Sequence, residues 1–415
     1  MNDAANGTRS SEAPRAFGSI DELDCRGRRV LLRVDPQISF ELPPAPAVPG
    51  PTPESAPERA SSSLRRLLDL DARVILATHL SKDSARATGI DSIEALAACL
   101  SERLQLEVLV PDECAGDAVT RVVQDLRKGQ ICLLPDLALE RGELNNDETF
   151  ARALAGQADA YVGDALSIAH LEYASVARVP RLLSQKALGY AAQRELEGLG
   201  RLMAAPRGAL IGIIGGDSFL EKSTLLGEWL PRFSSLYVGG QTALTLLAAK
   251  GSTSVAEGVE TDRMAQARSF LARARDLGVE LKLPVDLHML WAGERSPQVV
   301  SPRALPAGAR MIDIGPETRA MFSEAVAKAS DVWWWGALGD LELVEGTTAT
   351  RALAEACCVG SPRRTIMGSE LCRFARQLPQ ETLARLSPFL VSSAPAKMLL
   401  AKRKLPGLEA LRLRH

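Results

Sequence analysis

Short apolar runs that stop at a glycine or an aspartate, each followed by a helical pattern, most limit what this chain can fold into. The clearest example is Gly208–Lys222, GALIGIIGGDSFLEK. Ala209–Ile214 reads as a buried strand, Gly215-Gly216 breaks it, and a helix begins near Phe219. A strand, a glycine turn and a helix together aim backbone N–H groups at an anion. Lys222, one turn into the helix, adds a cation. The same spacing suits an ordinary strand-to-helix turn of an α/β sheet, so this stretch alone does not separate the two readings.

The alternation recurs along the chain. Arg29–Val34 reads as a strand ending in Asp35, and Arg73–Thr78 as a strand ending at His79, with a helix over Ser62–Leu70 between them. Helices over Asp91–Leu104, Cys114–Lys128 and Asn146–Gly156 alternate with strands over Leu106–Val110, Ile131–Leu134 and Ala160–Val162. An amphipathic helix, Leu188–Leu202, precedes a second series of strands at Leu210–Ile214, Leu236–Val238, Glu280–Leu283, Met311–Ile314, Val332–Trp335 and Arg364–Met367. Gly239-Gly240 is another strand-end glycine turn. The expected fold is α/β: two doubly wound parallel-sheet (Rossmann-like) domains joined by a hinge helix, with a substrate cleft between them. The expected boundaries are a disordered tail over 1–15, an N-terminal domain over 16–187, the interdomain helix over 188–202, a C-terminal domain over 203–390, and a segment over 391–415 that returns to the first domain. The proline-dense stretch Glu41–Pro57 reads as a long irregular loop.

At 415 residues, a single core is less expected than two. A net charge of −2 gives no push toward nucleic acid or an anionic membrane. The seven cysteines show no metal-type spacing, and the adjacent pair Cys357-Cys358 suits no structural disulfide, which points to a reducing compartment. The N-terminus shows no apolar secretory core and no run reaches the roughly 18 residues of a membrane span, so the expected location is the cytoplasm.

The order of motifs resembles the phosphoglycerate kinase family. RVLLRVDPQISF, ATHLSKD, LLPDLALERGELNNDETFARALAGQADAYVGDALSIAHLEYAS, IGGDSFLEK, VGGQTALTLL, LPVDL, DIGPET, WWWGALGDLE, EGTTATRALAEA and LPGLEAL occur in that family's order from about residue 18 to 413. The resemblance implies phosphoryl transfer between magnesium ATP or ADP and 3-phosphoglycerate or a related small acid, by a cytoplasmic monomer. It places the glycerate in the N-terminal domain and the nucleotide in the C-terminal one. On the glycerate side it implies roles for Asp35, His79, Lys82 (where the family has arginine) and Arg59. On the nucleotide side it implies Gly215, Gly216, Lys222, Gly239, Gly240, Gly336 and Glu342, with Lys222 and Arg59 catalytic. It points to no protein-held metal site.

Several positions depart from the family. Gln37 stands for an asparagine, and Ala138 and Leu171 stand where the family has phosphate-binding arginines. Arg59 falls on the first arginine of an Arg-x-Arg run and Ser61 on the catalytic second. Ser218 replaces a lysine, Trp335 an asparagine and Ala337 a proline. Gly368-Ser369-Glu370-Leu371-Cys372 replaces a Gly-Gly-Gly-Asp-Thr loop, with Glu370 one residue away from the metal-facing acid. Pro395, in the last loop from Ser392, removes an N–H donor. Phosphoryl transfer relies on positioning and neutralisation, so these losses imply weak or absent activity. The alternatives are a pseudoenzyme that binds a nucleotide or a protein, and a kinase for a less anionic substrate. Trp335, at the end of its strand, is a candidate to fill the phosphate site itself.

Overall fold

The computed structural model describes residues 16–35, 62–80, 90–251, 261–305, 308–359, 363–375, 377–386, 389–390 and 393–413. The tail over 1–15, the proline-dense stretch, Gln37, Arg59, Ser61, Lys82 and Ser392 lie outside them. The chain divides into two compact units. One gathers the described residues through Gln193 and those from Leu405 onward, and the other spans Arg194–Lys404. The helix Tyr190–Ala204 therefore carries the passage from one unit to the other.

The first unit is built on six strands: β1 (Arg29–Val34), β2 (Arg73–Ala77), β3 (Glu107–Leu109), β4 (Gln130–Leu133), β5 (Ala160–Asp164) and β6 (Gln185–Leu188). They lie in the order β3-β4-β2-β1-β5-β6, and every pairing is parallel. Central strands buried on both faces explain the unbroken apolar runs: Val30, Leu31 and Leu32 of β1 and Val74, Ile75 and Leu76 of β2 have no exposed surface. The strand β6 was not foreseen. Its sequence, Gln-Lys-Ala-Leu, carries no β-branched residue, and Lys186 is buried because its Nζ donates to the carbonyl of Ala410 at 2.8 Å. The terminal LPGLEAL motif thereby acquires a reason: Gly407 N–H donates to Ala169 O, and Pro406–Leu411 forms a short helix against this sheet edge.

The second unit repeats the plan with β7 (Leu210–Ile214), β8 (Phe233–Val238) and β9 (Glu280–Lys282), followed by a separate ribbon of β10 (Leu287–Trp291), β11 (Gln298–Val300) and β12 (Ala309–Ile314). The strands β13 (Asp331–Trp335), β14 (Arg363–Met367) and β15 (Phe389–Leu390) complete its main sheet, ordered β15-β14-β13-β7-β8-β9. The ribbon corrects one expectation: Met311–Ile314 joins an antiparallel sheet, β11-β10-β12, and not the parallel one. The turn after Trp291 closes a β10–β11 hairpin, and β12 pairs antiparallel with the other edge of β10. In β13, side-chain alternation puts Trp333 and Trp335 on one face and Trp334 on the other. Trp333 packs edge-on against Trp229 and stacks on Phe233 and Trp335, with centroids at 5.2, 5.6 and 5.8 Å.

Buried carboxylates tie strand ends to following helices. Asp286 accepts from Glu317 N at 2.9 Å, Thr318 N at 2.8 Å and the Thr318 hydroxyl at 2.5 Å. This is why LPVDL and DIGPET occur together: the aspartate of one caps the helix Pro316–Ala327 that the other begins. Burial pushes the Asp286 carboxyl up, but the Thr318 and Glu317 donors outweigh it and hold it below the usual carboxylate range. Asp286→Ala leaves those donors buried without an acceptor, and we expect it to cost about 1–3 kcal/mol, read as a lower midpoint in urea unfolding. Asp276→Ala, at an exposed helix end, should change the midpoint by no more than experimental scatter.

Candidate active site

In the second unit, β14, β13, β7 and β8 lie side by side and end in register, Trp335 pairing with Met367 and Ile214, and Ile214 with Val238. The next residue in each strand is glycine: Gly368, Gly336, Gly215 and Gly239. A row of glycines thus lies along the carboxyl ends of adjacent strands, where open α/β sheets bind ligands. At Gly215 and Gly336 the packing leaves no room for a side chain. A Cβ on Gly215 would stand 1.9 Å from Ala337 O, and Gly336 has φ +90° with Gly215 O 2.7 Å from its Cβ position.

The expectation that Gly215-Gly216 offers its own N–H groups to an anion is corrected here. Gly215 donates to Trp335 O at 2.9 Å and Gly216 to Ala337 O at 2.6 Å. Gly239 donates to Ile214 O, Gly240 to Leu338 O and Gly336 to Met367 O. Gly215, Gly239 and Gly336 donate to the last residue of a neighbouring strand, and Gly216 and Gly240 to the loop beyond β13, because in-register strand ends bring these backbones within hydrogen-bonding distance of one another. The glycines shape the floor, and charge comes from side chains.

Lys222 supplies such a charge. Ser218 caps the helix Phe219–Trp229, its hydroxyl accepting from Glu221 N at 3.3 Å, and Lys222 lies in the first turn. Its Nζ donates to Ser218 O at 3.3 Å, and only 8% of the residue is exposed. Burial first, and Lys397 second, hold its amine below the ordinary lysine range. Trp335 is 3% exposed, and the ammonium groups of Lys222 and Lys397 each lie 5.5 Å from its ring centroid. Glu370 is pushed up by burial and then by Asp217, with Asp340 and Glu342 adding to the effect. Glu342 itself is exposed, its N–H donating to Asp340 Oδ1 at 3.0 Å.

In the first unit, Asp35 follows β1, and Thr78-His79 follows β2. Asp35 is buried and accepts from the Ser167 hydroxyl. Arg33, 1% exposed, donates to Ser175 Oγ at 2.9 Å, Val34 O at 3.0 Å and the His79 Nδ1 at 3.3 Å. Ser175 in turn donates through its hydroxyl and its N–H to buried Glu143 at 2.6 and 2.7 Å. The sequence reading missed this network, because Arg33 looked like one more residue in an apolar strand; a charge at a fully buried position was the available signal. A guanidinium can only donate, so His79 Nδ1 accepts and the ring proton sits on Nε2. Burial, then Arg33, pulls the His79 pKa down to about 4. The imidazole is therefore neutral at neutral pH. Ala138 lies in the short 3₁₀ turn Leu137–Leu139, its N–H donating to Asp136 Oδ1 at 2.9 Å. Leu171 and Tyr173 pack on Ala165, Ile168 and Val176.

Comparison with known proteins settles the lineage. The profile of the family described as "Phosphoglycerate kinase" matches residues 20–378. The chain belongs to the phosphoglycerate kinase family. It is 36% identical over 359 residues to "Phosphoglycerate kinase" of Anaeromyxobacter sp. (strain K), covering 85% of this chain and 89% of that protein. It is 34% identical over 402 residues to "Phosphoglycerate kinase" of Anaeromyxobacter dehalogenans (strain 2CP-1 / ATCC BAA-258), covering 95% and 99%. The solved phosphoglycerate kinase of Coxiella burnetii superposes with a TM-score of 0.71 at 24% identity, over 95% of this chain and 98% of that one. Family membership gives the strand-end residues of both units a common context.

The His79 environment has a measurable consequence. A folded-state pKa below the ordinary 6.5 means that the unfolded chain binds the extra proton more readily. The stabilisation is present in full above pH 6.5 and is lost as pH falls toward 4. The His79 imidazole should remain neutral at pH 5.5 in an NMR titration, and His79→Gln should flatten the fall in stability between pH 6.5 and 4.

Proposed function

We propose that the second unit binds the phosphates of a magnesium nucleotide, and that phosphoryl transfer to 3-phosphoglycerate is weak or lost. The observation that carries this reading is the pairing of Arg33 with His79. It commits the buried guanidinium inward and leaves the imidazole uncharged, so neither supplies a cation to a dianionic phosphate. Ala138 and Leu171 stand where the family carries arginine, and Leu171 is packed on apolar side chains. Two absent charge-assisted hydrogen bonds correspond to about 3–6 kcal/mol of binding if additive. The apolar contacts of Leu171 and Tyr173 favour, as a second reading, a kinase for a less anionic acid.

On the nucleotide side, Lys222 at a capped helix start suits a phosphate group. Asp217 and Glu370 are neighbouring carboxylates whose repulsion helps to raise Glu370, and hard oxygen donors of this kind suit magnesium. The ion is proposed to arrive with its nucleotide, as the family resemblance implies. Bound there, magnesium would neutralise charge on the phosphates. Glu342, exposed on the same side as Glu370, suits a ribose hydroxyl. No helix among the described residues is long and apolar enough to cross a membrane. On the family resemblance we take the protein to be a cytoplasmic monomer.

The test is phosphoryl transfer from magnesium ATP to 3-phosphoglycerate by purified protein, with identically prepared Lys222→Ala as the control for host enzyme. A missing transition-state arginine costs about 10³–10⁵ in rate, so turnover should lie at least that far below the ~1–100 s⁻¹ typical of kinases in general. Turnover near an ordinary kinase rate that Lys222→Ala abolishes would overturn the proposal and would make Arg59 and Lys82 the next residues to substitute.

A further inference from the structure

The Trp335 indole receives two ammonium groups, and the family resemblance accounts for only one of them. Lys397 reaches it from the helix Ser393–Leu400, at the same 5.5 Å from the ring centroid as Lys222. The helix is otherwise apolar or small, and Lys397 keeps 30% of its side chain exposed. It pairs with the carboxylate of Glu221 at 3.9 Å, the outer limit of an ion pair, and Glu221 is itself 71% exposed. Asp217 and Glu370 also face Lys222, yet burial and Lys397 together prevail over all three acids there. Two like charges are therefore held together at one aromatic ring with incomplete compensation.

Their position is specific. A Cβ on Gly216 would stand 3.3 Å from Lys222 Nζ, and one on Gly368 would stand 3.9 Å from the Trp335 ring. Lys222 and the Trp335 ring thus border the glycine row at the carboxyl ends of β7, β13 and β14, and Lys397 shares that ring. An indole face attracts cations but cannot accept a hydrogen bond along each N–H direction. A group with several anionic oxygens can, and it would relieve the repulsion between the two ammonium groups.

We propose that Lys397 is a second phosphate-binding cation of this site, paired with Lys222 across a Trp335 platform, and that its ligand is a polyphosphate chain. The charge missing at Ser218 is thereby restored from a different helix. This inference rests on the reading that the second unit holds a nucleotide, and the experiment separates the two. Full-length protein is titrated by calorimetry with inorganic tripolyphosphate, with MgADP and with adenosine. Tryptophan fluorescence is followed in parallel, and Trp335→Phe assigns the signal.

Lys397→Met should weaken tripolyphosphate and MgADP about tenfold or more, Lys397→Arg should stay within about threefold of the parent, and adenosine affinity should not move. Lys397→Gln repeats the test with a second neutral side chain, and thermal melts verify that each variant is folded. MgADP binding that is unchanged in both neutral variants would overturn the proposal and leave the nucleotide reading intact. Tripolyphosphate binding that needs Lys397, without affinity for MgADP, would support the proposal and overturn the nucleotide reading. Failure of the parent protein to bind either would overturn both.

Discussion

Parallel strands that end in register bring their following loops into one row, and most of what distinguishes this protein depends on how that row is filled. In the second unit, the row admits almost no side-chain volume. Gly215 meets Ala337 O, Gly336 meets Gly215 O, and the N–H groups of both turn to neighbouring carbonyls. A backbone arranged this tightly is stiff, because any shift of one loop breaks hydrogen bonds in the next. It provides a fixed floor against which a few charged side chains can be placed. Lys222, Lys397, Asp217 and Glu370 are those side chains, and burial of Lys222 and of part of Glu370 makes their interactions stronger than they would be in water.

The first unit places charge differently. Its strand-end network turns inward: Arg33, Ser175, Glu143 and Tyr161 satisfy one another beneath the surface, Tyr161 donating to Ser175 O at 2.9 Å. A buried arginine and glutamate joined through a hydroxyl are costly to separate, since either alone would be an uncompensated charge. That satisfied network also sets the His79 tautomer and keeps its ring neutral. The two units therefore share a fold plan and differ in what their strand ends present: two lysines in one, and a neutral imidazole beside a carboxylate in the other. The residues that hold the scaffold and those at the strand ends are different ones. Asp286 and Gly407 hold elements together, whereas Ala138, Leu171 and Trp335 stand at the ends of strands or in the loops beyond them.

Much of this was legible from residues alone. Alternating apolar runs and helical patterns specify parallel βαβ units because a strand covered on both faces must be apolar throughout, and β1, β2, β7 and β13 obey that rule within a residue or two. The glycine turns and Lys222 were visible as a pattern, since only glycine tolerates the close approach and positive φ. What the pattern did not reveal was β6, a strand of poor propensity held by the Lys186 bond to Ala410, and the β10–β12 ribbon, where antiparallel pairing depends on a turn. It also did not reveal where the glycine N–H groups point.

Sequence by itself determined the class of fold and the family, because these follow from local periodicity and from motifs read in order. Tertiary structure alone decided which charges face one another. Lys397 is a lone lysine 175 residues from Lys222 in a short helix, and Arg33 is one letter inside an apolar strand. The meeting of both lysines on Trp335, and the burial of Arg33 against His79 and Ser175, arise from packing between elements distant in the chain. Electrostatic effect depends on distance and burial, and neither is encoded in local periodicity.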